Sequence, residues 1–419
     1  MMARLFRRAG TWLLQPCLLL VWMLLATGCN ATTTHPGPVA LATATTIPTT
    51  TPNTTPTLPT PNTTPLDITS AWGKVAIRHI ADTLDADHFL NFGLASTPDG
   101  QHALVTIAPS NFINAQHLPS FVGVYDLGTG NLIKIHKIPG SEGQILTAGA
   151  DNRYMVWLET TDQNTSRWTM WLYDLQTRQL QQIGQNSTDA QGQPVSGTYP
   201  TPWVSNGHLI WGQQTGEITR LDVSKDIIQL MDLTTRQTQT IATSAGLPTL
   251  AWPWMAYAQG DTQGNAVGVI KNLSTGQTLQ WQDDGLPHLQ SMAIRGNSIA
   301  YSLLAGNPSS VEYIADFTQN TTPVTLIKGH DGSDYVDFVT INDRLISWEA
   351  ANTSTTQVWD RKLNRIVTLP SESTGGSTVL STLLYWTTST VSADQASQLK
   401  KQGIIPPYVY NVVDTTSLP

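Results

Sequence analysis

The stretch VGVYDLGTGNLIKI, residues 122–135, decides the fold class. An apolar run ends in Asp126, a short polar turn with Thr-Gly follows, and a second apolar run leaves it. That pattern is a β-hairpin: strand formers flank residues that tolerate tight turns. It recurs as MWLYDLQTRQLQQI around Asp174, IIQLMDLTTRQTQTI around Asp232 and VGVIKNLSTGQTLQW around Asn272. Weaker copies are VEYIADFTQNTTPVTLI around Asp316 and TQVWDRKLNRIVTL around Asp360. A seventh, degenerate copy is PYVYNVVDTTSLP around Asn411.

Another hairpin precedes each of these, its turn carrying Asp99-Gly100, Asp151-Asn152, Asn206-Gly207, Gly296-Asn297 or Asn342-Asp343. The strand after the turn presents an aromatic at a matching place: Trp157, Trp211, Tyr257, Tyr301, Trp348 and Trp386. Their spacings are 54, 46, 44, 47 and 38 residues, and the first unit offers LVTI at 104–107 instead. Two hairpins per unit give four antiparallel strands. Sheets this small must stack to bury both faces, and radial stacking makes a β-propeller. The expected class is all-β, a β-propeller of four-stranded antiparallel blades. Seven blades fit the count, with six or eight left open. The recurrent aromatics are expected between neighbouring blades, and a ligand platform of exposed aromatics is the rival reading. Residues 75–80, VAIRHI, are free to close the ring against VYNVV near the other end, and residues 392–403 read as a short helix.

The turn Ser96-Thr97-Pro98-Asp99-Gly100 and the hairpin residues Tyr125, Asp126, Leu127, Thr129 and Gly130 resemble the exported WD40-like or TolB-like propellers of bacteria. The resemblance implies architecture and export, and no particular activity. The Gly-His and Trp-Asp pairs of true WD40 repeats are largely missing, Gly329-His330 with Trp359-Asp360 being the near-copy.

Residues 1–28 read as an export signal: Arg4, Arg7 and Arg8, then an apolar stretch, then Ala26, Thr27 and Gly28 before Cys29. The order resembles a bacterial lipobox, with Ala26 where the box usually has Leu, so Cys29 is the expected lipidation residue. Ordinary cleavage and an uncleaved anchor are the alternatives, although the apolar run is short for a spanning helix. Residues 29–69 are rich in Thr and Pro and read as an extended tether. Residues 70–419 are assigned to the propeller. Cys17 leaves with the signal, so no disulfide is expected in the domain.

Of 22 basic residues three fall in the signal, leaving 19 against 30 acidic ones, a net of −11. That balance argues against nucleic acid and against polybasic docking on lipid. The nine histidines form no metal motif, and no nucleophile elbow or phosphate loop is present. His330, Asp331 and Asp334 form the most polar loop. It reads as a connection between blades, a cation site being the rival reading, and the segments at Asp222 to Asp226 and at Gln282-Asp283-Asp284-Gly285 read as turns. No catalytic, cofactor-binding or metal residue is assigned. The expectation is an extracytoplasmic, lipid-anchored, non-catalytic module for a protein or glycan partner. The rival is a carbohydrate-active propeller with its site in the central channel.

Overall fold

The computed structural model describes residues 62–111, 118–140, 143–161, 167–195, 199–215, 226–260, 265–304, 309–329, 336–350, 356–370 and 377–419. Every repeat read from the sequence folds as one four-stranded antiparallel sheet. There are seven, spanning residues 88–137, 144–185, 203–243, 245–281, 289–328, 336–368 and 378–414, the last completed from the N-terminal side. The chain is a seven-bladed β-propeller.

The motif acids explain why each third strand turns where it does. Asp126 Oδ1 accepts the backbone N–H groups of Gly128 and Thr129, both at 2.8 Å. Asp174, Asp232, Asn272 and Asp360 do the same for the residues two and three ahead of them. Asp316 caps Thr318. These side chains satisfy turn amides that the sheet leaves free. The seventh copy needs a correction. Its turn residue is Asp414, which accepts the Thr416 N–H at 2.9 Å, whereas Asn411 lies mid-strand with its amide on Trp386 and Thr388. No fourth strand follows Asp414, so the hairpin pattern that marks the other turns is missing there.

Ring closure follows the sequence expectation. β2 (Arg78–Ala81) pairs antiparallel with Tyr408–Asp414, Arg78 opposite Val412 and Ile80 opposite Tyr410. A second element was not foreseen. β1 (Asn62–Asp67) adds in parallel to the outer edge of the sixth blade, Asn62 opposite Arg365 and Asp67 opposite Thr368. A short helix, Ile68–Trp72, follows, its first turn capped by the Asp67 carboxylate. Trp72 is buried among residues of blades six and seven, and its indole N–H donates to Asp360 Oδ2 at 2.8 Å. The stretch read as tether thus contributes its last residues, from 62, to a strand and a helix start. Residues 29–61 lie outside the described residues.

Aromatic packing joins the blades. Trp157, Trp211, Tyr257, Tyr301, Trp348 and Trp386 are between 0% and 7% exposed. Each sits in an apolar cluster shared with the blade before it. Where the first blade lacks its aromatic, Phe92 and Tyr410 substitute, with ring centroids 5.0 Å apart.

Hydroxyls close the inner edges. Each blade's innermost strand would leave N–H groups unpaired. Ile294 N–H donates to Thr249 Oγ1 and Val339 N–H to Ser291 Oγ, while Val379 N–H reaches Thr340 Oγ1 and Ser347 Oγ. Thr249, Ser291 and Thr340 each follow a register shift in their own strand. The irregularity turns a hydroxyl out of its own ladder and onto the next blade.

Candidate functional site

Antiparallel order divides the disc into two unlike faces. Turns from first to second strand and from third to fourth strand emerge on one side, the turn face. Connections from second to third strand, and from blade to blade, emerge on the other, the loop face. Turn-face connections are tight, capped by the motif acids. Loop-face connections vary in length and include a helix, Ala393–Lys401, with a capping box at Ser392 and Gln395. This helix lies where the sequence placed one. Variable loops on a rigid frame are where binding groups collect.

Three polar groups are buried toward the loop face. Asp82, only 3% exposed, follows β2, and its backbone N–H donates to Tyr408. Burial pushes its carboxyl up to about 6, and hydrogen bonds from Tyr408's segment and Thr83 offset only part of that. Nearby, Asp85 accepts the N–H groups of Asp87 and His88 and lies 3.1 Å from His88 Nδ1. Those amides, the Asp87 one foremost, hold its carboxyl below the usual range.

Between blades one and two, His136 Nε2 lies 2.9 Å from Glu159 Oε2. The imidazole packs against Trp171 at 4.5 Å and Trp157 at 6.1 Å between centroids. Between blades four and five, Tyr301 OH donates to Asp283 Oδ2 at 2.7 Å, and Thr325 donates to Glu312 at 3.1 Å. Burial raises the Glu312 carboxyl, and the Asp283 charge adds to it. Burial and the Asp283 partner likewise hold the Tyr301 phenol well above its ordinary value.

Two of the cavities among the described residues are well defined. One, large enough for about one water, is lined by Trp168, Asn186, Ser187, Val195, Pro200 and Gln214. The other, about 120 Å³, opens on the turn face between Asn342, Arg344, Ser381, Thr382 and Thr415. Neither is lined by any of the three buried polar groups. His136–Glu159 and Tyr301–Asp283 each join neighbouring blades. Among the described residues no three His, Cys, Asp or Glu side chains converge as metal ligands.

Of the residues singled out in the sequence, Cys29, Asp222, His330, Asp331 and Asp334 lie outside the described residues. Asp226 opens a strand. Asp283 makes the expected turn, accepting the Gly285 N–H at 2.9 Å, and also takes the Tyr301 phenol. The His136–Glu159 pair went unread because its members stand on different blades, with no local pattern to link them.

No protein-family model and no curated protein matches the chain. Solved structures do. An oligogalacturonate lyase in complex with manganese is 12% identical, with 86% of this chain and 99% of that one covered and a TM-score of 0.49. The β-propeller domain of the Trilobed protease from Pyrococcus furiosus is 9% identical, with 73% and 90% covered and a TM-score of 0.47. TolB from Acinetobacter baumannii is 14% identical, with 67% and 66% covered and a TM-score of 0.39. The chain spans about half the length of a matched prolyl endopeptidase, 46% of it. At these identities the likeness is one of fold.

Proposed function

We propose that this chain is an extracytoplasmic binding module: a rigid propeller, anchored by a lipid on Cys29, that takes a protein or glycan partner on its loop face without catalysing a reaction on it. The observation that carries the reading is the placement of the recurrent aromatics. All six are spent on blade-to-blade packing. Packing of that kind makes a stiff frame, and the variable connections gather on one side of it.

Two measurements test it. Cys29→Ser should move the protein from the membrane fraction to the soluble one; retention would point to an uncleaved helix instead. A photo-crosslinking residue at Ser397 on the loop face should capture a partner on intact cells, while one at Gln176 on the turn face should not. Both positions are exposed. Capture from Gln176 alone, or from neither, sinks the loop-face reading. Turnover of a polysaccharide by the purified protein would replace it with the carbohydrate-active alternative.

A further inference from the structure

The two faces differ in charge as well as in loop length. Each described ionisable residue can be assigned to the face nearer its strand end or connection, leaving aside Lys74, Lys134 and Glu312, which sit between. The turn face then holds ten basic and nine acidic side chains, and the loop face five basic and twelve acidic. Among the described residues the excess acidity is therefore concentrated on one side. On the turn face most of the acids are the motif residues, whose carboxylates already accept turn amides. Arg153–Asp174, Arg295–Asp343 and Arg344–Asp360 pair off further charge there.

The N-terminal strand points the same way. β1 runs parallel to Arg365–Thr368, a fourth strand, and every fourth strand runs from turn face to loop face. Asn62 lies opposite Arg365, at the turn-face end. The propeller's first described strand therefore begins on the turn-face side.

We infer that the turn face lies toward an anionic lipid surface and the loop face points away from it. The inference rests on the proposed anchor at Cys29. A lipid surface rich in anionic headgroups repels the acidic face and tolerates the balanced one, and this bias decays over about 10 Å at 0.1 M salt. Within that distance the charge difference selects between the two orientations. One consequence is that the variable loops are presented to whatever lies beyond the membrane.

The test uses the lipidated full-length protein purified from membranes and reconstituted in vesicles of phosphatidylethanolamine and phosphatidylglycerol. Fluorophores are placed on Gln176→Cys or Ser397→Cys, both exposed, with an acceptor dye in the lipid headgroup layer. Energy transfer should be at least twofold greater from position 176 than from 397, and the ratio should fall toward one at 1 M salt. Equal or reversed transfer in membrane-retained protein overturns the orientation alone. If neither labelled protein stays with the membranes in cells, the anchor is wrong and the orientation falls with it.

Discussion

Arg178 sits at φ +57°, four residues after its motif acid, where the equivalent residues of two other blades are Gly130 and Gly276 at φ +76°. A side chain there crowds the following carbonyl, which glycine avoids. Arg178→Gly should therefore raise the unfolding free energy by about 0.5–1 kcal/mol, and Gly130→Ala should lower it by a similar amount. Urea unfolding of both variants checks this, and a loss from Arg178→Gly would mean that its side chain makes a contact worth more than the strain. The motif acids were readable because each acts within three residues of itself. Asp82 was not, since its burial is created by segments distant in sequence. Its folded-state carboxyl, about 6, is above the ordinary aspartate value of 3.8. The folded protein thus holds the extra proton between those values, and the contribution of Asp82 to stability falls as pH rises through that window and is flat above it. Asp82→Asn should be more stable than the parent at pH 7 by about 1–2 kcal/mol, with allowance for partial solvent screening, and should match it near pH 3.5. A pH-independent difference would assign the effect to packing.

At the scale of the strand, the hydroxyl latches carry the blade-to-blade register. Ser291 Oγ accepts the Val339 N–H at 3.0 Å and also meets Ser302 Oγ at 2.7 Å. Ser291→Ala leaves that N–H without its acceptor, which costs about 1–3 kcal/mol for a buried group. Amide exchange at Val339 should accelerate while amides of the distant second blade, such as Trp157, keep their protection. Uniform acceleration would show that the blades open as one. Alternation and turn chemistry made the strands legible in sequence, because both are local. The latches were hidden among the many Ser and Thr residues, because each is defined by a register shift and a partner on the next blade. The same limit applies to Gly268. A Cβ there would stand 2.1 Å from the Trp281 ring, a requirement visible only once the two strands are paired.

For the whole molecule, closure depends on N-terminal residues doing two jobs. β2 supplies the missing strand of blade seven, and β1 with the following helix seals blade six to blade seven through Trp72. The first was legible, since VAIRHI was an unassigned strand and the last repeat lacked a partner. The second was masked by composition: NTTPLD reads as the end of a Thr/Pro tether, and only the edge of blade six makes it a strand. The two roles separate in truncations. A chain beginning at residue 74 keeps the ring and loses the seal. With Trp72 at 3% exposure and an indole hydrogen bond to Asp360, it should unfold with about 3–5 kcal/mol less free energy and stay monomeric. A chain beginning at residue 82 also loses β2, exposing Tyr408–Asp414 as an unpaired edge strand, and should self-associate through that edge. Size-exclusion chromatography and urea unfolding of the two truncations distinguish these outcomes. If the shorter chain were monomeric and as stable as the longer one, blade seven would be self-sufficient with three strands. The N-terminal pairing would then add a tether attachment and no closure.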